Sequence, residues 1–518
     1  MPTSRMIFEV PPGRLDVDDG GRIVAALAGD RSYLSGGSVG EVIIAGRPHQ
    51  PTVARLAVDE DEIDVDLAAG DGLTLAVRHS FAVGWGWRIR LSNDSPDELA
   101  VDSVRLDLTL GAEMVGHPIA AGSEAELVIR PRDGEGPILA GRLVTGSVAE
   151  ITETGLITGP LRLPPGAGYV LTWQWNWYDD VARLIERRRG IVPWPTVRTV
   201  GEPIDLRGDP DAALIVPDDL LGAGGMMRGP GGELTELVSD QAGRYRIEER
   251  SARGTVTFDL GWAAPVEQAL GERVDRFARA TGPEAAALSA ADGIVLHLAL
   301  GAGTATDPDR ATDALEVITA GLVDAGPRTG LDATLLCLEH HRTGERDPLD
   351  LAVTWILSCD RVDPGLGFAV TQACLARVIR GQSISGIIDR AGALAAAIPD
   401  RPTLPLDAAG VAELELLAAI HRNLERPSPA FRSRLRAAGP YLGSGEVAPA
   451  RPALDTERRA ALVAVLRFAD EQAAVAIGRD WAAAPSALAE VAAAYLLDEI
   501  ADTGSSETLA WLALGLAT

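Results

Sequence analysis

The sequence predicts a multidomain α+β protein, with an antiparallel β-sandwich first, a small β module next and an all-α domain of helical hairpins last. Three observations carry that expectation. Apolar residues alternate with polar ones from Val39 to about Tyr178, the period of strands with one buried face. From about Pro265 onward they recur instead at three and four, the period of helices, and alanine and leucine dominate. Glycine, proline and aspartate stand at the joints of both halves, where turns and helix ends need them.

In the first part, residues 1–178, Ile63, Val65 and Leu67 alternate with Glu62, Asp64 and Asp66. Leu73, Leu75 and Val77 repeat the pattern, and Val104, Leu106, Leu108 and Leu110 alternate with Arg105, Asp107 and Thr109. Turn chemistry separates these strands at Gly70-Asp71-Gly72, Asn93-Asp94-Ser95-Pro96 and Pro164-Pro165-Gly166. A sandwich follows, because a sheet with one apolar face must bury it against another layer. Residues 179–200 read as one short helix with acids at its start and Arg187, Arg188 and Arg189 in its last turn, then a stiff Pro193-Trp194-Pro195 linker. A clamp for phosphate or carboxylate is the other reading of the three arginines. Residues 201–264 are again strand-like at Ile204, Leu206, Tyr245, Ile247 and Val256 to Leu260, between glycine-rich turns.

Residues 265–518 are cut into eleven or twelve helices of ordinary length. The breaks fall at Gly282-Pro283, Asp307-Pro308, Gly326-Pro327, Gly344, Asp363-Pro364, Gly381, Pro399, Pro427, Gly439-Pro440, Pro485 and Gly504. Short connections make successive helices antiparallel hairpins. No repeat recurs at a fixed period, so a closed toroid or an irregular bundle is expected in preference to a solenoid.

Composition removes several functions. The formal charge of −27 repels phosphate backbones, so neither nucleic acid nor an anionic membrane is an expected partner. All 47 basic residues are arginines, and a lysine-free chain cannot form the Schiff base of pyridoxal phosphate enzymes or lysine-type aldolases, nor a Walker A phosphate site. Cys337, Cys359 and Cys374 share no metal-binding spacing and lie in apolar helical runs. The N-terminus lacks a basic segment followed by an apolar stretch, and no run of about 18 apolar residues occurs, so a cytoplasmic location is the expectation. No cofactor is expected, and no HExxH, GxSxG, kinase or EF-hand pattern is present.

A large sandwich, a short helical linker and a long run of helical hairpins together resemble carbohydrate-active proteins in which a galactose-mutarotase-like supersandwich precedes an (α/α) toroid, as in glucoamylase-like hydrolases and glycoside phosphorylases. The likeness covers most of the chain as an order of elements, and its local echo is LDATLLCLEHHRTGE from Leu331 to Glu345, followed by Leu349-Asp350-Leu351-Ala352. It implies a toroid-like helical domain and a carbohydrate as substrate or ligand. No catalytic residue of that family is carried over. The small β module and the short helical half depart from its pattern.

Glycoside chemistry needs one carboxyl group that holds a proton and one that is ionised. Asp332 and Glu339 are the catalytic pair to test, since seven residues return to one helix face over about 10 Å of rise; Asp360 and Asp363 are equal alternatives as partners. Asp332 reads as well as a first-turn acid that complements a helix dipole. Indole faces stack on sugars, so Trp173, Trp175 and Trp177 could line a substrate platform. Their parity with Leu171, and that of Trp85 and Trp87 with Ile89 and Leu91, favours core packing. His340 and His341 point about 100° apart on a helix and cannot share a metal as residues four apart do, so no metal site is expected. The segment Ile294 to Gly303 looks like a dinucleotide strand and turn but has threonine at 306 and no βαβ context. Two functions stand: a carbohydrate-processing or carbohydrate-binding protein of glycoside hydrolase-like architecture, or a noncatalytic scaffold whose helical domain binds protein. The oligomeric state is not legible.

Overall fold

Strand alternation produces two large antiparallel sheets. A computed structural model describes residues 5–515 apart from 83, 153–154, 188–196, 208–212, 219, 221–225, 229–233, 252–253, 278–287, 422–427, 443–453, 469–484 and 502–504. Pro193, Trp194, Pro195, Arg188 and Arg189, and the breaks at Gly282-Pro283, Pro427 and Gly504, lie outside the described residues. By its contacts the chain forms two units, one of residues 1–196, 203–238 and 244–260, the other of residues 197–202, 239–243 and 261–518.

In the first unit a nine-stranded sheet and an eight-stranded sheet enclose one apolar core. The strands Glu62–Ala68, Leu73–Ser80 and Leu99–Leu110 bury the residues that the alternation assigns inward, except Leu67 and Leu110 near strand ends, which are half-buried. At the centre Trp173 pairs with Trp87 and Trp175 with Trp85 across neighbouring strands, the second pair stacked at 5.0 Å between ring centroids. Gly141 makes room for them, because a Cβ there would stand 2.6 Å from the Trp175 ring. Gly141→Ala is therefore expected to lower stability by about 1–3 kcal/mol through overpacking, read as a lower midpoint in urea with an unchanged slope. The short helix α1 (Val181–Arg187) follows the strand Gly168–Tyr178, and a three-stranded sheet of Ile204–Arg207, Met226–Arg228 and Leu234–Leu237 also belongs to this unit.

The second unit holds twelve helices among the described residues: α2 (Val266–Phe277), α3 (Ala290–Ala302), α4 (Pro308–Ala325), α5 (Gly330–Thr343), α6 (Arg346–Ser358), α7 (Leu366–Ile379), α8 (Ser385–Ala396), α9 (Ala408–His421), α10 (Pro429–Leu442), α11 (Thr456–Phe468), α12 (Pro485–Ile500) and α13 (Ser506–Leu514). The odd-numbered helices pack side by side in the order α3, α5, α7, α9, α11, α13, and α13 returns to α3. The ring is closed. Each even-numbered helix packs on the two inner helices that flank it, α2 on α13 and α3 and the others on their sequence neighbours, so six hairpins make a toroid. Sequence chemistry separates the two layers. The inner helix α3 is buried at six successive positions, Ala291 to Leu296, whereas the outer α4 buries only Ala311, Leu315 and Ile318, a stripe at helical spacing.

Helix ends match the punctuation. Ser289 and Thr329 form capping boxes with Asp292 and Asp332, Asp307 caps ahead of Pro308, and Gly303 and Gly344 close helices in the left-handed conformation. Gly303 thus ends a helix, and the dinucleotide-like segment is α3. One expected break is absent: α10 runs through Gly439-Pro440 to Leu442. Pro440 sits in the last turn, where little helix remains to be disrupted, and Gly439 has no Cβ to clash with the proline ring. No helix among the described residues is long and apolar enough to cross a membrane.

Candidate functional site

A cluster of titratable side chains lies on the inner ring, on the C-terminal halves of α3 and α5. Glu339 occupies the tenth position of α5, on a helix apolar almost all round, which brings its carboxylate indoors with 2% side-chain exposure. Such a charge is costly unless it is paired and hydrogen-bonded. Both conditions are met. Arg342, one turn on, donates from Nε and Nη2 to Oε2 at 3.0 and 2.7 Å, and His297 of α3 lies with Nδ1 2.8 Å from Oε1. Burial alone would raise the carboxyl's pKa; the hydrogen bonds from His297 and Arg342, with their charges, outweigh it and hold Glu339 below the usual carboxylate range.

An ionised Glu339 can only accept, so Nδ1 of His297 carries a proton toward it, and whenever the ring holds a single proton its lone pair lies on Nε2. His297 retains 15% side-chain exposure and Arg342 28%, so the cluster reaches solvent through them. Arg342 also lies 3.9 Å from Glu316 of α4. His341, on the next face of α5, bonds the backbone of Gln372, and desolvation lowers its pKa, with smaller contributions from the charges of His340, His297 and Arg380. Arg380, just past α7, donates to the carbonyl of Gly344 at 3.0 Å. His340 is buried, its Nδ1 bonded to the carbonyl of Glu345. Among the described residues no group of His, Cys, Asp and Glu could hold a metal ion.

The other sequence candidates are placed elsewhere. Asp332 accepts from the backbone N–H of Arg328 at 2.8 Å and of Thr329 at 2.9 Å, the work of a cap. Asp332→Ala is expected to cost about 1 kcal/mol of stability, checked by thermal melting, with turnover unchanged. Asp363 accepts from Gly330 N at 2.8 Å, and Asp360 is exposed. Trp173 and Trp175 have 0% exposure inside the sandwich, and Trp177 is half-buried, its ring edge-on to Tyr33. Cys337 is buried, and its thiol is pushed up to about 12 chiefly by that burial.

A second interior carboxylate, Glu415 of α9, accepts from the N–H of Gly365 on Oε2 and of Phe368 on Oε1, both at 2.9 Å. It caps the neighbouring α7, and burial pushes its pKa up to about 7. No local motif singles out His297 or Glu415: each partner is tens of residues away, and the packing of successive inner helices, α3 on α5 and α7 on α9, brings them together. Glu339 was legible as a candidate, and its seven-residue relation to Asp332 is not the contact that the fold makes.

No family model matches the sequence, and no curated protein does. Among solved structures, a polysaccharide lyase matches with a TM-score of 0.65 at 12% identity, covering 82% of this chain and 82% of that one. This likeness is one of fold. A galactose 1-epimerase from Lactobacillus acidophilus NCFM matches with a TM-score of 0.23 at 9% identity, covering 34% of this chain and 94% of that one.

Proposed function

We propose that the chain is a carbohydrate-active protein and that its toroid cleaves an acidic polysaccharide by elimination, with His297 as the base. The observation that carries this reading is His297 bonded at 2.8 Å to a buried carboxylate that Arg342 holds in place. Such a pair fixes the tautomer that leaves Nε2 basic and stabilises the imidazolium formed when it takes a proton. The fold neighbour named as a polysaccharide lyase supports the class of reaction.

The step balances without water or a cofactor. Nε2 of His297 removes the proton on the carbon beside a uronate carboxylate, the electron pair of that C–H bond forms a carbon–carbon double bond, and the glycosidic C–O bond at the next carbon breaks, its oxygen taking the proton back from the His297 imidazolium. Charge builds on the carboxylate as the proton departs, and the guanidinium groups of Arg342, which shares Glu339 with His297, and of Arg380, whose charge reaches His341, stabilise it. They offer local attraction on a chain whose net charge of −27 otherwise repels a polyanion. Glu339 acts through His297 and is a positioning residue.

The test is turnover of uronate polymers and neutral glucans by the full chain, reading both reducing ends and the ultraviolet absorbance of an unsaturated uronate. Both signals together are expected on a uronate polymer. Reducing ends without absorbance would mean hydrolysis and would overturn elimination. Silence on every polymer would favour a second reading, a noncatalytic interaction protein, whose supporting observation is the exposure of Leu375, Val378 and Ile379 on the last turns of α7, Ile379 at 70%.

A further inference from the structure

A cavity of about 300 Å³ opens in the second unit where α2 faces the end of α12 and the start of α13. This is the lower end of the size range of small-molecule sites. It shares no residue with the His297 cluster. Its construction is written in α2, which has two unlike faces: Val266, Leu270, Val274 and Phe277 are buried, whereas Gln268, Glu272, Arg273 and Arg276 line the cavity. The opposite wall is apolar, with Leu497, Ile500 and Leu509, and Asp498 stands among them.

The two arginines are the informative residues. Arg273 is held by the Ser506 hydroxyl, at 2.9 Å from Nε and 2.7 Å from Nη2, and its guanidinium lies over the Phe277 ring at 4.8 Å. Arg276 is exposed. No described carboxylate forms an ion pair with either, although the chain carries 74 acidic residues against 47 basic ones and Glu272 lies one turn from Arg276. Glu272 is bonded to Gln268 instead, at 3.0 Å. Two guanidinium groups one turn apart on a cavity wall, one already fixed in place by a neutral hydroxyl, present forks of N–H donors that match a carboxylate.

We infer that this cavity binds a small organic anion of one or two sugar rings, its carboxylate taken by Arg273 and Arg276, its hydroxyls by Gln268 and Glu272, and its apolar face by the leucine and isoleucine wall. The carboxylate follows from the two arginines alone; the sugar ring rests on the carbohydrate-active reading, and neither depends on elimination at His297. Calorimetric titration of the full chain with glucuronate, glucose and inorganic sulfate tests it. Glucuronate should bind, glucose at least about tenfold more weakly, the discrimination expected when one charge-assisted pair is lost. Arg276→Ala, at an exposed position that leaves the fold intact, should weaken glucuronate by a similar factor, whereas His297→Gln should leave this binding in place. Equal affinity for glucose, no heat with glucuronate up to millimolar concentration, sulfate binding alone, or an Arg276→Ala variant that binds normally would each overturn the inference. Loss of binding in His297→Gln but not in Arg276→Ala would move the anion to the inner-ring cluster and overturn it as well.

Discussion

Replacing His297 by glutamine is expected to lower elimination by about 10²- to 10⁴-fold, the range over which a positioned general base contributes, with little change in the melting temperature. Glutamine can still donate to Glu339 and fill the space, so the buried carboxylate keeps a partner; what it lacks is a nitrogen that takes a proton. The loss should therefore appear in kcat more than in KM. Glu339→Gln should be nearly as damaging by another route. Its amide can donate to Nδ1 of His297, which moves the ring proton to Nε2 and removes the base without removing the histidine. Because both changes disable one device, the double variant should be little worse than either single one. Independent, multiplying losses would mean that Glu339 does not act through His297, and a His297→Gln enzyme with normal turnover would end the proposal.

How far this could be read from the sequence depends on the range of the interactions concerned. The strand alternation around Ile63 and Val104, the inward parity of Trp87, Trp173 and Trp175, and the glycines that close α3 and α5 are local properties, and each appears in the fold where the residues place it. Asp332 carried a local signal too, since Thr329-x-x-Asp332 is a capping box ahead of an apolar run. The packing of one inner helix on the next is not local. Nothing within α3 says that His297 will face a carboxylate 42 residues on. The one trace lies in the contrast between helices: α3 and α9 are buried on nearly every side, α4 and α8 on one stripe, and such alternation marks an inner and an outer layer. A polar residue buried or half-buried on an inner helix is then the one to examine, because it needs a partner on the neighbouring inner helix. His297, Glu339 and Glu415 all meet that description.

Glu415 gives the second large effect, on stability and its pH dependence. Its carboxyl is pushed from 4.5 up to about 7, first by burial and against the pull of the backbone N–H groups of Phe368, Gly365 and Gly367. In the unfolded chain the group ionises near its ordinary value. Below about pH 4.5 both states carry the proton and Glu415 imposes no ionisation penalty; between there and about 7 the folded state keeps a proton that the unfolded state has lost. Stability from this group is thus complete at low pH and falls as pH rises through the folded-state value, by roughly 3 kcal/mol when the shift is converted at 1.36 kcal/mol per unit. Chemical denaturation from pH 5 to 8 should show that decline against the glutamine variant, in which Glu415→Gln removes the ionisation and flattens the curve. Glutamine keeps only one acceptor oxygen for the amides of Gly365 and Phe368, so at pH 5 the variant should be less stable than the parent, by about 1–3 kcal/mol for one buried donor left unpaired. The two curves should converge toward pH 8, where the parent has paid to ionise. Parallel curves would show that Glu415 does not titrate in this window, and its part in the inner ring would reduce to the cap it forms on α7.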